Sequence, residues 1–344
     1  MTTPANTRGL VVATGGSGYI AAYCIAGLLG DGWRVRATLR DLARVDEVRA
    51  TISKIASNAD TIEFAPADLN SDAGWADALA SADYVLHIAS PVSTNPKNDA
   101  IIRPARDGAL RVLKAARDAG VKRVVMTSSI AAIAYGRGAR AEPFTESDWT
   151  DATNPKDTTA YERSKTIAER AAWSWQKTEG GALELVTVNP ALVLGPALSS
   201  DFSPSLEAIR KLLDRSVPAL PHIGFCIVDV RDTARLHLLA MTAPGVSGQR
   251  FIASSGFFWM KDIARMLKAE LGESARNVPS VSIPDFIVRI FALFDPVLRA
   301  RLFELGKRRL VSSDKARRVL GWSTRPVRDT IVETAKSLQA QGLV

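Results

Sequence analysis

Two groups of residues in this chain have the types and spacing to do chemistry. Val11-Val12-Ala13-Thr14 runs into Gly15-Gly16-Ser17-Gly18-Tyr19-Ile20-Ala21, an apolar strand feeding a glycine-rich turn that opens a helix. Such a turn brings backbone N–H groups and a helix N-terminus up to a pyrophosphate, and the small residues Gly18 and Ala21 allow close packing. The second group is Tyr161-Glu162-Arg163-Ser164-Lys165, a phenol and an amine four positions apart at the head of a helical pattern, hence on one face. Its weight comes from its place, after a strand that ends in Thr127-Ser128-Ser129. In a doubly wound sheet that strand end faces the reactive ring of a dinucleotide.

The second strand ends Val35-Arg36-Ala37-Thr38-Leu39-Arg40-Asp41, without the acid that would accept from a free ribose 2′-hydroxyl. Arg40 is suited instead to a 2′-phosphate, which points to NADPH; the alternative leaves Arg40 solvated and gives the ribose to Asp41. Asp68 and Leu69, just past the third strand, fall where an adenine would lie, and Asp68 also reads as a helix cap ahead of Trp75. His87, His222 and His237 have no ligand spacing, so no metal site is expected. Gly15-Gly16-Ser17-Gly18-Tyr19 lacks the last glycine of a serine-hydrolase elbow.

The elements that must position these groups follow from the alternation of short β-branched runs and helical patterns. Strands are expected at residues 10–14, 34–39, 61–65, 84–88, 122–127 and 183–188, with helices at 21–29, 43–56, 72–79, 101–119 and 160–178. This is an α/β chain with a doubly wound parallel sheet, a Rossmann domain over residues 1–190 that residues 225–242 rejoin. Residues 191–224 and 243–344 form a smaller, mostly helical substrate domain. The 344 residues, 47% hydrophobic and 23% charged, suit two packed units and exclude large-scale disorder.

The net charge of +8 is regional: residues 299–328 carry ten Lys and Arg against Glu304 and Asp314. Lys307-Arg308-Arg309 lacks interleaved aromatics, so a solvated helical face is expected there and no nucleic-acid partner. The greasiest run, 283–298, is broken by Asp285, Arg289 and Asp295 and is not expected to span a bilayer; for the amphipathic segment 283–305 core or lid packing is expected rather than membrane contact. Cys24 and Cys226 stand in no redox or ligand spacing, and the polar residues 1–9 carry no leader-like pattern, so a cytoplasmic protein is expected.

Taken in order, Thr14-Gly15-x-x-Gly18-x-x-Ala21, Arg36 to Arg40, His87-Ile88-Ala89-Ser90-Pro91, Ser128-Ser129, Tyr161-x-x-x-Lys165, Asn189-Pro190-x-x-Val193-x-Gly195-Pro196, Asp229-Val230-Arg231-Asp232 and Ser312 to Trp322 cover nearly the whole chain. The pattern resembles an extended short-chain dehydrogenase/reductase, and within it the branch of dihydroflavonol reductases and NADPH-dependent aldehyde and ketone reductases. The resemblance implies hydride reduction of a carbonyl, with Tyr161 donating the proton and Lys165 stabilising its phenolate and holding the nicotinamide ribose. It implies that Ser129, rather than Ser128, orients the substrate oxygen. Cofactor contacts are implied at Thr14, Gly15, Ser17, Gly18, Tyr19, Ile20, Ala89 and Ser90, and along the nicotinamide at Pro190, Leu192 and Val193. Ser205 would reach a cofactor phosphate or cap a helix.

Two departures bear on the substrate. Dihydroflavonol reductases carry Asn or Asp a few positions after the Ser, where this chain reads Ile130-Ala131-Ala132-Ile133-Ala134. Cinnamoyl-CoA reductases carry an aromatic-cysteine signature at the Tyr, where this chain reads Thr158-Thr159-Ala160-Tyr161. An apolar wall from Ile130 to Ala134, with Leu192, Phe202 and Phe225, is then expected to receive a hydrophobic aldehyde or ketone. The other functions the same motifs allow are a nucleotide-sugar epimerase or dehydratase that retains NAD and a non-catalytic NADP sensor. Family members include monomers and homodimers.

Overall fold

The computed structural model describes residues 8–91, 98–200 and 203–344. The first half alternates as expected: β1 (Arg8–Thr14), α1 (Tyr19–Gly30), β2 (Trp33–Leu39), α2 (Val45–Ser53), β3 (Glu63–Pro66), α3 (Trp75–Leu79), β4 (Tyr84–His87), α4 (Ile102–Asp118), β5 (Arg123–Thr127), α5 (Ala160–Glu179) and β6 (Glu184–Pro190). There follow β7 (Leu192–Leu194), α6 (Glu207–Leu213), β8 (Gly224–Asp229), α7 (Val230–Thr242), β9 (Arg250–Ala253), β10 (Gly256–Trp259), α8 (Met260–Leu271), α9 (Asp285–Phe291), α10 (Pro296–Arg301), α11 (Asp314–Leu320) and α12 (Val327–Ala340).

Seven strands form one parallel sheet in the order β3-β2-β1-β4-β5-β6-β9. The central strands β5 and β6 are rich in Val and buried nearly throughout, as helix-covered parallel strands must be, while β3 at the sheet edge is only partly buried. The order reverses beside β1, which pairs with β2 on one side and β4 on the other, and there a crevice opens outside the carboxyl ends of the strands. The register brings those ends level: Thr14 faces His87, and His87 faces Met126.

The sixth expected strand is followed by a seventh that the sequence reading passed over. Arg-Phe-Ile-Ala at β9 is four residues long and opens on a cation, too little signal to separate from the helical segments around it, and only its pairing with β6 reveals it. Residues 250–253 therefore belong to the large sheet. The segment 225–242 divides instead of returning whole. Its helix α7 packs with α1, where a Cβ on Gly27 would lie 3.0 Å from Leu238, while its strand β8 joins β7 and β10 in a separate three-stranded sheet.

The C-terminal cations are largely spent on the fold. Arg309 is buried against Glu304 and Asp157, Lys307 also reaches Asp157, and Arg325 pairs with Asp232. Gly321, at φ +60°, ends α11 in the left-handed conformation that a glycine stop provides. Residues 283–305 differ from the expected packing. Val288, Ala292 and Leu305 are buried, but Phe286, Ile290, Phe291, Leu293 and Phe294 face solvent, so only one edge of the segment is packed.

Candidate active site

The glycine turn is shaped by β2. Thr38 accepts from the Gly15 N–H through its hydroxyl (3.1 Å) and from the Gly16 N–H through its carbonyl (2.9 Å). Gly15 has φ +69°, and a Cβ there would stand 3.0 Å from the Cβ of Ala89 on the β4 side of the crevice. Helix α1 begins at Gly18 with no side-chain cap and no acid in its first turn. Its leading N–H groups are thereby left to an outside acceptor, the arrangement that suits a phosphate. The Tyr19 hydroxyl is buried without a partner among the described residues.

Thr14 takes a different part from the expected cofactor contact. Fully buried, its hydroxyl accepts from the N–H groups of Ile88 and Ala89 (both 3.0 Å) and bonds His87 Nδ1 (2.9 Å), so it locks β4 to β1 beneath the crevice. At the β2 end, Arg36 is held by Glu63 and by the carbonyls of Asp77, Ala78 and Ala80. Arg40 is exposed and has no hydrogen bond or ion pair among the described residues. Asp41 accepts from the Ala43 N–H (2.9 Å) and caps a short turn. Asp68 accepts from the backbone and side chain of Asn70, its carbonyl takes the Trp75 indole N–H, and Leu69 lies against Gly108 of α4.

Helix α5 starts where its sequence dictates. The Thr159 hydroxyl accepts from the Tyr161 N–H (3.3 Å), while Glu162 Oε2 accepts from the Thr159 N–H (2.7 Å), a reciprocal cap that sets Tyr161 in the first turn. Ser129, at the end of β5, accepts from the Ala131 N–H (3.1 Å) and donates to the Pro190 carbonyl (3.4 Å). Its hydroxyl also lies beside the Tyr161 phenol. Ser128 turns the other way and donates to the buried Glu169.

Burial pushes the Tyr161 phenol above its ordinary range, opposed by the hydrogen bond with Ser129. Burial brings the Lys165 ammonium down to about 8, opposed by the charge of Glu169. Lys165 lies close enough to His87 to help burial hold that imidazole down at about 3. The sequence reading expected Lys165 to pull the phenol down; in the structure burial is the largest influence on the phenol, and it raises it.

The other expected positions separate. Leu192 and Phe225 are half-buried, Val193 is buried in the main core, and Phe202 lies outside the described residues. Ala131 to Ala134 are buried, with Ile133 and Ala134 packed on Phe144 and Ile252; the expected apolar wall is core, and only Ile130 is partly open. Ser203, not Ser205, supplies the cap of the short helix there, accepting from the Ser205 N–H, and the Ser205 hydroxyl has no partner among the described residues. Ser90 stays half-buried at the crevice mouth.

The sequence profile of the NAD dependent epimerase/dehydratase family matches residues 11–252, which span both the glycine turn and the Ser129, Tyr161 and Lys165 group. The chain belongs to this family. Cinnamoyl-CoA reductase 2 of Arabidopsis thaliana is 31% identical over 97% of this chain and 93% of its own length. Ketoreductase azaE of Aspergillus niger is 31% identical over 96% of this chain and 98% of its own. Among solved structures, yeast methylglyoxal/isovaleraldehyde reductase Gre2, crystallised with NADPH, superposes with a TM-score of 0.78 at 24% identity, covering 97% of this chain and 100% of that one. The relatives are reductases, and they make this chain an oxidoreductase of the NAD(P)-dependent kind. Among the described residues, no helix is long and apolar enough to cross a membrane.

Residues that the sequence reading missed surround the site. Glu169, Thr187 and Arg250 form a buried polar group behind Ser128 and Ser129. Glu169 carried a legible signal, being the third member of a four-residue spacing with Tyr161 and Lys165.

Proposed function

We propose that the chain is an NADPH-dependent carbonyl reductase that converts hydrophobic aldehydes or ketones to alcohols, with Tyr161 as general acid. The observation that carries this reading is the meeting of the Ser129 hydroxyl with the Tyr161 phenol, with buried Lys165 one helical turn on, at the strand ends beside the uncapped glycine turn. The reduced nicotinamide supplies the hydride when bound. Gly15, Ser17, Gly18, Tyr19 and Ile20 would hold the pyrophosphate, and Arg40 the 2′-phosphate. Asp68 and Leu69 would border the adenine, Ala89 and Ser90 the crevice floor, and Lys165 the nicotinamide ribose. Pro190, Leu192 and Val193 would line the carboxamide side through their backbone, with Ser205 at a phosphate.

Ser129 donates to the substrate oxygen and fixes it against the phenol. Tyr161 then passes its proton to the developing alkoxide. Burial that holds the phenol protonated favours this direction, and the Lys165 cation with Ser129 stabilises the phenolate left behind. NADPH in the Gre2 crystal and an Arg40 unpaired among the described residues support the cofactor choice. Relatives carry the names of CoA-thioester, ketone and dihydroflavonol reductases; Thr158-Thr159-Ala160 ahead of the Tyr supports a simple carbonyl over the thioester.

The test is consumption of NADPH beside NADH, read by absorbance, against hydrophobic aldehydes, α-diketones and aryl ketones. Turnover is expected with NADPH, and Tyr161→Phe should fall to background while still binding cofactor. Undiminished turnover in that variant would remove the phenol from its role, and NAD retained through purification would favour redox-neutral epimerase chemistry.

A further inference from the structure

Glu169 stands one turn of α5 beyond Lys165 and two beyond Tyr161, and it is completely buried. Both carboxylate oxygens are fully engaged. Oε2 accepts from the Ser128 hydroxyl and from the Asn189 amide (2.8 Å), and Oε1 from the Trp173 indole (3.1 Å), the Thr187 hydroxyl (3.2 Å) and Arg250 Nε (2.6 Å). Arg250 comes from β9, stacks 3.8 Å from the Trp149 ring centroid, and donates to the carbonyls of Glu146 and Asp148. A buried carboxylate survives as a charge only with such a complete set of partners.

The same cluster reaches the site along two lines. Asn189 donates from its amide to the Ser129 carbonyl (3.1 Å), so Glu169 fixes the backbone that carries the Ser129 hydroxyl. The other line runs through space to Lys165. The ammonium acts on the buried neutral His87 of β4 and feels Glu169 of its own helix, which is itself paired with the Arg250 cation of β9. Among these, Glu169 is the negative charge.

We propose that Glu169 is a positioning residue: its buried charge, fixed by Arg250, keeps Lys165 protonated inside the crevice, and its hydrogen bond to Asn189 sets the place of Ser129. The proposal rests on the reading of Ser129, Tyr161 and Lys165 as the reacting group. Burial already brings the ammonium down to about 8, so loss of the facing carboxylate would release its proton at lower pH.

The experiment is an NMR titration of the full, cofactor-free chain labelled at the lysine ε-carbons, with the Lys165 signal assigned by its loss in Lys165→Arg. Lys165 is expected to titrate about one pH unit lower in Glu169→Gln than in the native chain, with the other lysines unmoved. Because Glu169→Gln strands a buried guanidinium, Glu169→Gln with Arg250→Gln is measured beside it, and a smaller downward shift is expected there, since the Arg250 cation that opposes protonation of Lys165 is lost as well. A Lys165 signal that titrates at its native pH in either folded variant overturns the proposal. The outcome is separable from the reading beneath it: turnover surviving Tyr161→Phe would sink the general-acid assignment, whereas an unmoved Lys165 would sink the role of Glu169 even where Tyr161→Phe is dead.

Discussion

Arg40→Ala should convert a cofactor preference into near-indifference. The side chain is exposed and unpaired among the described residues, so its removal breaks no contact of the fold and should leave stability within about 0.5 kcal/mol. Its whole effect then falls on the ligand. A charged hydrogen bond to a phosphate contributes about 1.5–3 kcal/mol, and the open position of Arg40, where water and salt compete, argues for the lower end. That is a loss of roughly tenfold in NADPH affinity, against about twofold or less for NADH, which offers no 2′-phosphate. Titrating tryptophan fluorescence with each cofactor at low and at high salt reads the difference, and the NADPH loss should shrink as salt rises. Arg36→Ala is the contrasting control, since its guanidinium is tied to Glu63 and three carbonyls; that change should lower stability and affect both cofactors alike. Equal losses for NADPH and NADH in Arg40→Ala would refute the 2′-phosphate assignment.

Other expectations concern the turn and the buried imidazoles. Gly15→Ala places a side chain at φ +69° and against Ala89, so it should cost roughly 1–2 kcal/mol in a urea melt and weaken both cofactors together; a neutral result would deny the close approach of β1 and β4. Burial holds His87 at about 3 and His237 at about 4, below the value near ~6.5 that each takes when unfolded. The unfolded chain therefore binds more protons as pH falls from about 6.5, and each histidine should withdraw about 1.4 kcal/mol of stability per pH unit below it, down to its folded value. Urea midpoints between pH 7 and 5 should show the slope, and replacing both residues with Gln should flatten it.

The sequence carried the sheet and the reacting group because both rest on local periodicity. Short apolar runs flanked by helical patterns placed six strands, and a four-residue spacing put Tyr161 and Lys165 on one face. What escaped was set by partners distant in the chain. Arg250 looks like an ordinary surface cation until β9 pairs with β6 and brings it to Glu169, 81 positions away. Ala131 to Ala134 read as a pocket wall because apolar residues beside a site resemble a lining; the packing of Phe144 and Ile252 makes them core. Phe286, Ile290, Phe291, Leu293 and Phe294 show the converse, side chains apolar enough for the interior that the fold leaves facing water.

The late arrival of β9 also governs how the chain can be made. Until residue 250 has left the ribosome, β6 is an open edge with unpaired backbone groups, and Glu169 is a carboxylate without its guanidinium. The large sheet is thus completed by a strand encoded beyond β7, α6, β8 and α7. A fragment ending before β9 would offer the β6 edge to other copies of itself, where in the whole chain residues 250–253 move the edge of the large sheet from β6 to a four-residue strand.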